Sequence, residues 1–122
     1  MTNQNLVPES EAYRILEVRP TYLGQTQVIV ELPNGYRASV VGGPVTVARY
    51  GHSYGIEEVG IMNSQGTLIY GTPVEPHDAV RRYGSVEEIP AILDEIAALD
   101  PRITYPTGYQ YVQSLLDDED ED

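Results

Sequence analysis

The chain has 122 residues, enough for one core, and 41% of them are hydrophobic, which favours a folded domain over wholesale disorder. It carries 19 acids against seven arginines, no lysine and no cysteine, for a net charge of −12. That inventory excludes disulfides, thiol nucleophiles, zinc–thiolate sites and lysine-based phosphate or Schiff-base chemistry, and it disfavours direct nucleic-acid binding, which needs cations to neutralise phosphates.

Residues 1–11 read as a polar lead-in without a basic stretch followed by an apolar one, and no run of 18 apolar residues occurs, so a non-membrane, non-exported protein of the cytoplasm is expected. From Ala12, AYRILEVR alternates as a strand, and TQVIVEL (26–32) places Val28, Val30 and Leu32 on one face. Pro33-Asn34-Gly35 then signals a tight hairpin turn, because Asn-Gly tolerates positive φ, and YRASVV (36–41) supplies the returning strand. Gly42-Gly43-Pro44 opens a long Gly/Tyr-rich connection, residues 42–55, with a short edge strand at Val45–Ala48. A second hairpin follows: IEEVGIM (56–62), a turn over Asn63–Gly66, and TLIYG (67–71).

The period then changes. Val86, Ile89, Ile92, Leu93, Ile96 and Leu99 recur at helical spacing, and Ser85 with Glu88 forms a capping box, so residues 86–99 are expected as one amphipathic helix. Pro90 is awkward at its fifth position, and Asp100-Pro101 should end it. A last short helix fits Thr107–Leu116. Hairpins followed by one strong helix define an α+β class: an antiparallel sheet of four to five strands, packed against a C-terminal helix, in a single domain over residues 12–116. Exposed edges of so small a sheet invite pairing with a second copy, a homodimer through a sheet edge.

Half of the net charge sits in the final six residues, the acidic tail Asp117, Asp118, Glu119, Asp120, Glu121 and Asp122. A solvated solubility run is the simplest reading; a basic protein partner, or mimicry of nucleic acid in a basic cleft, also matches its sign.

Candidate chemistry is sparse. Glu75, His77 and Asp78 would have to converge, with His52, to hold a metal, and their spacing matches no ligand pattern. Glu57 and Glu58 are strand neighbours pointing to opposite faces, a poor acid/base pair. The serines lack a G-x-S-x-G elbow, and there is no phosphate-binding G-x-x-x-x-G-K-[ST]. Arg81-Arg82 could hold an anion but better balances the acidic helix after it. No enzyme, metal or cofactor is expected. In the 42–55 connection, Arg49, Tyr50, His52 and Tyr54 are side-chain types that concentrate binding energy at protein interfaces, and they are taken as a partner-binding set. The alternative is that Tyr50 or Tyr54 folds back as a lid on the sheet.

V-V-G-G-P (40–44), S-Y-G (53–55), E-E-V-G-I-M (57–62), Q-G-T-L-I-Y-G-T-P-V (65–74) and S-V-E-E-I-P-A-I-L-D-E-I-A-A-L (85–99) together resemble small uncharacterised proteins of tailed bacteriophages, actinobacterial-type ones especially. The resemblance covers about half the chain. It implies a phage product working in the bacterial host cell and brings no activity with it. The resulting expectation is a non-enzymatic phage accessory protein that binds a host or phage protein, such as a defence or host-regulatory factor. The alternatives are a small neck or tail component of the virion, an acidic nucleic-acid mimic, and last a hydrolase-like enzyme.

Overall fold

A computed structural model of the chain describes residues 6–21, 24–43 and 56–119. Within them, β1 (Arg14–Pro20), β2 (Thr26–Glu31), β3 (Arg37–Gly42), β4 (Glu58–Met62) and β5 (Val80–Arg82) form one antiparallel sheet in the spatial order β1-β2-β3-β4-β5. A 3₁₀ turn, Val86–Glu88, runs into helix α1 (Ile89–Ala97), and α2 (Gly108–Glu119) follows. This is the expected α+β class, an antiparallel meander with α1 laid on one face.

The strand register explains that face. Val28 pairs with Val40 and Val40 with Val59, while Val30 pairs with Ala38 and Ala38 with Ile61. All six are fully buried, and they meet Ile89, Ile92, Leu93 and Ile96 of α1 in one core. Burying such side chains is worth roughly 1.5–3 kcal/mol each, which is why sheet and helix hold together without covalent staples. Leu6 and Val7, within the stretch read as a polar lead-in, belong to the same core.

Both predicted turns form. At the first, Pro33 and Asn34 are the central residues, Gly35 N donates to Leu32 O at 2.9 Å, and Gly35 takes φ +94°. The second repeats this geometry, with Gly66 N donating to Asn63 O at 3.0 Å and Gly66 at φ +82°. Glycine follows the two central residues because a positive φ there costs it little.

Asn34 does more than turn the chain. Its Nδ2 donates to the carbonyls of Ile96, Ala97 and Leu99 at 2.9, 3.0 and 2.9 Å, while Oδ1 accepts from Tyr36 N at 3.2 Å. The hairpin tip thereby supplies a donor to carbonyls at and just beyond the end of α1, of which Ile96 O also accepts from Leu99 N at 3.1 Å.

Four expectations change. Residues 67–71 do not make a full returning strand: Leu68 bridges Met62 and Ile69 bridges Thr107, because β5 takes the edge of β4 instead. The helix begins three residues late, since 86–88 wind as a 3₁₀ turn; at three residues per turn Val86 drops out of the apolar stripe and is 43% exposed. Ser85 and Glu88 both cap, but in that tighter geometry Ser85 Oγ accepts from Glu87 N and Glu88 Oε2 from Gly84 N. Pro90 therefore lies in the first turn of α1, where its missing N–H has no acceptor to serve. The strand expected at Val45–Ala48 lies outside the described residues.

Of the two sheet edges, β1 is interrupted by a register shift between Ile15 and Glu17 and ends at Pro20. Both features, with Arg14, Glu17 and Arg19 along it, blunt that edge against further strands.

Candidate functional site

Arg49, Tyr50, His52 and Tyr54 lie outside the described residues, as do Asp120, Glu121 and Asp122. Asp117, Asp118 and Glu119 continue the backbone of α2. What the structure does place is the base from which the connection holding the four predicted contact residues leaves and to which it returns.

That base is organised by Gln25. It sits at the start of β2, after a turn in which Gly24 N donates to Thr21 O at 3.1 Å and Thr21 N to Gln25 O at 2.8 Å. Its side chain is 2% exposed. Nε2 donates to Gly43 O at 2.8 Å and to Ile56 O at 3.1 Å, and Oε1 accepts from Ile56 N at 2.9 Å. One side-chain amide thus offers the same donor and acceptor pattern as a peptide group and ties the outgoing stem, Gly43, to the returning stem, Ile56. Buried, with these polar atoms paired, the amide incurs little desolvation penalty and fixes the distance between the stems.

Tyr83, the residue after β5, supports the outgoing stem. Its hydroxyl donates to Val41 O at 2.8 Å, and its N–H donates to Glu57 O at 3.2 Å. Burial, aided by the nearby Glu57 carboxylate, pushes the Tyr83 phenol up to about 12.

The other candidates separate. Glu57 is exposed and Glu58 half-buried on β4, without a shared partner. His77 is exposed, and Asp78 Oδ1 accepts from Ala79 N at 2.6 Å, a local turn bond. Among the described residues, no three His, Asp or Glu side chains come together as a metal site would require. Arg81 pairs with Glu95 of α1 at 2.8 Å and donates to Val74 O at 3.1 Å, the helix-balancing role read from the sequence.

A concavity of about 210 Å³ lies where the two hairpin turns meet the segment after α1, walled by Asn34, Tyr36, Asn63, Ile69, Ile103 and Tyr105. The Tyr36 hydroxyl bonds Ile103 O at 2.9 Å and Asp100 O at 3.3 Å, and its ring lies 6.3 Å from that of Tyr105. Burial first, then Tyr105 and Asp100, raise the Tyr36 pKa above its ordinary value. Asp100 is held below the usual carboxylate range by a two-pronged bond from Arg102, at 2.9 and 3.0 Å, together with the Arg102 N–H. The lining offers hydroxyls and amides but no carboxylate, imidazole or amine, so it can seat an apolar group and cannot move a proton near neutral pH.

Gln25 and Tyr83 escaped the sequence reading. Gln25 stands in a polar turn, and its partners are 18 and 31 residues away, so no local pattern marks it. Comparison with protein-family models, with curated proteins and with solved structures finds no match for this chain.

Proposed function

We propose that this chain is a non-enzymatic accessory protein of tailed bacteriophages that binds one protein of the host or the phage through its 42–55 connection, with Arg49, Tyr50, His52 and Tyr54 as the contacts. The observation that carries the reading is the Gln25 amide joining Gly43 to Ile56. A segment whose two ends are fixed by a buried group loses less freedom on binding than one with loose ends, and the difference goes into affinity. The motif resemblance supports the phage origin, and the residue types in the connection support protein contact.

The test is a pull-down of the tagged protein from infected cells, followed by affinity measurement with the recovered partner. Arg49→Ala and Tyr50→Ala should each cost about 1–3 kcal/mol of affinity and leave the melting temperature in place. Gln25→Ala should lower both. Recovery of the protein at several copies in purified particles, with no partner in the cell, would make it a virion component instead.

A further inference from the structure

The described tethers of α2 are gathered at its start. Thr107 bridges Ile69, Tyr70 N donates to Pro106 O at 2.9 Å, and the Tyr111 ring stacks on Tyr70 at 5.0 Å and 18°. A β-carbon on residue 108 would lie 3.5 Å from the Tyr70 ring, so the first turn rests in ordinary van der Waals contact with that tyrosine. After Tyr111, the described side chains face water: Val112 is 53% exposed, Leu116 48%, and Gln113 is exposed as well. Val112 and Leu116, four residues apart, stand one above the other on the same side of the helix. They form an apolar ridge with no cover among the described residues.

The charge at the end of this helix is on the wrong side for a helix that works alone. The last turn carries no basic residue, and the sequence continues from Leu116 into Asp117-Asp118-Glu119-Asp120-Glu121-Asp122. The C-terminal end of a helix already presents its negative pole, and acids there add to it. A partner that covers Val112 and Leu116 and brings cations to the helix end would relieve both defects. A second copy, itself at −12, would bring like charge to the run. An anionic lipid surface or a nucleic acid would meet the run with like charge.

We infer that α2 is a docking helix: Val112 and Leu116 insert into an apolar groove on a partner protein whose rim is basic, and the acidic end of the helix meets that rim. These residues are none of those assigned to the 42–55 connection, and either reading can fail without the other. It is a helix-in-groove contact, with apolar anchors on one face supplying grip and charge supplying direction and on-rate.

The experiment uses the full chain and two synthetic 18-residue peptides: a Leu/Lys helix with an apolar face and a basic rim as stand-in for the groove, and a Lys-only peptide that offers charge alone. Titration calorimetry should show the Leu/Lys peptide binding at least tenfold tighter than the Lys-only peptide. Val112→Ser with Leu116→Ser should erase that difference, whereas Gln113→Ser, at another exposed position of the helix, should keep it. Asp117→Asn, Asp118→Asn and Glu119→Gln together should weaken both peptides and flatten their salt dependence. Equal affinity for the two peptides, or a preference that survives the loss of Val112 and Leu116 or is lost equally in Gln113→Ser, would overturn the proposal. So would sedimentation or vesicle pelleting showing that the pair instead drives self-association or attachment to phosphatidylcholine vesicles.

Discussion

The Tyr83 hydroxyl occupies the space beside Gly42 that any larger residue would need: a β-carbon on residue 42 would lie 1.9 Å from that oxygen and 2.9 Å from Leu6 Cδ1. The same hydroxyl donates to Val41 O, so swinging away would cost that part-buried carbonyl a donor. Gly42→Ala is therefore expected to destabilise the fold by about 1–3 kcal/mol, the usual range for overpacking. Tyr83→Phe removes the offending oxygen, and the double variant should lose less than the sum of the two single ones. Chemical denaturation of all four proteins measures that coupling.

The Tyr83 phenol also sets an alkaline limit. Its pKa rises from 10.0 to about 12 on folding, so between these values the native state keeps a proton that the unfolded chain releases. Stability should be intact below pH 10 and fall as pH approaches 12, by on the order of 2–3 kcal/mol from this group. Tyr13 and Tyr36 are shifted in the same direction, so in Tyr83→Phe the decline should be shallower but not absent. Urea melts at stepped pH, beside tyrosinate absorbance of the native protein, provide the check.

Asn34→Ala should uncap α1 across the chain. Loss of the three carbonyl contacts should cost about 1–3 kcal/mol, because those carbonyls are shielded from water by the hairpin tip. Asn34→Asp should be worse near neutral pH, since it replaces a donor with an anion at the negative end of the helix, and should recover as acid protonates it. A pH series of thermal melts separates the two variants.

In the core, Ile92→Ala should cost about 2–5 kcal/mol, as Ile92 is 3% exposed and its loss leaves a cavity. Val86→Ala should change stability by about 0.5 kcal/mol or less, since the 3₁₀ turn holds that residue in solvent. Similar losses at both positions would mean that the helical stripe extends back to residue 86.

The sequence carried the first hairpin, the second turn, the sheet face and the stripe from Ile89 because each is written in neighbouring residues: alternation, turn glycines, a 3.6-residue period. It did not carry β5, whose three residues are too few to show alternation and which exists because β4 offers an edge. Nor did it carry Gln25 or the capping role of Asn34. In both, a polar side chain reaches residues far along the chain, and the pattern becomes visible only after the sheet has brought them close. The four contact residues predicted in the 42–55 connection were chosen by residue type, which says what a side chain can do and not where it stands.

The meander order of the sheet has a consequence for the protein as it is being made. Each strand pairs with its neighbour in the sequence, so β1 to β4 can assemble as soon as Met62 emerges from the ribosome. Their apolar face, from Val28 to Ile61, is then complete but wet, because the side chains that cover it, Ile89 to Ile96, are translated later. Nascent chains ending near Gly84 should bind trigger-type chaperones and hydrophobic dyes, and chains that include Leu99 should release them. The interval between the two lengths is when this protein is most exposed to aggregation, and charge protects it least then: residues 1–84 carry eight acids against six arginines, a net of −2, and the rest of the −12 is translated only with the covering helix and the tail.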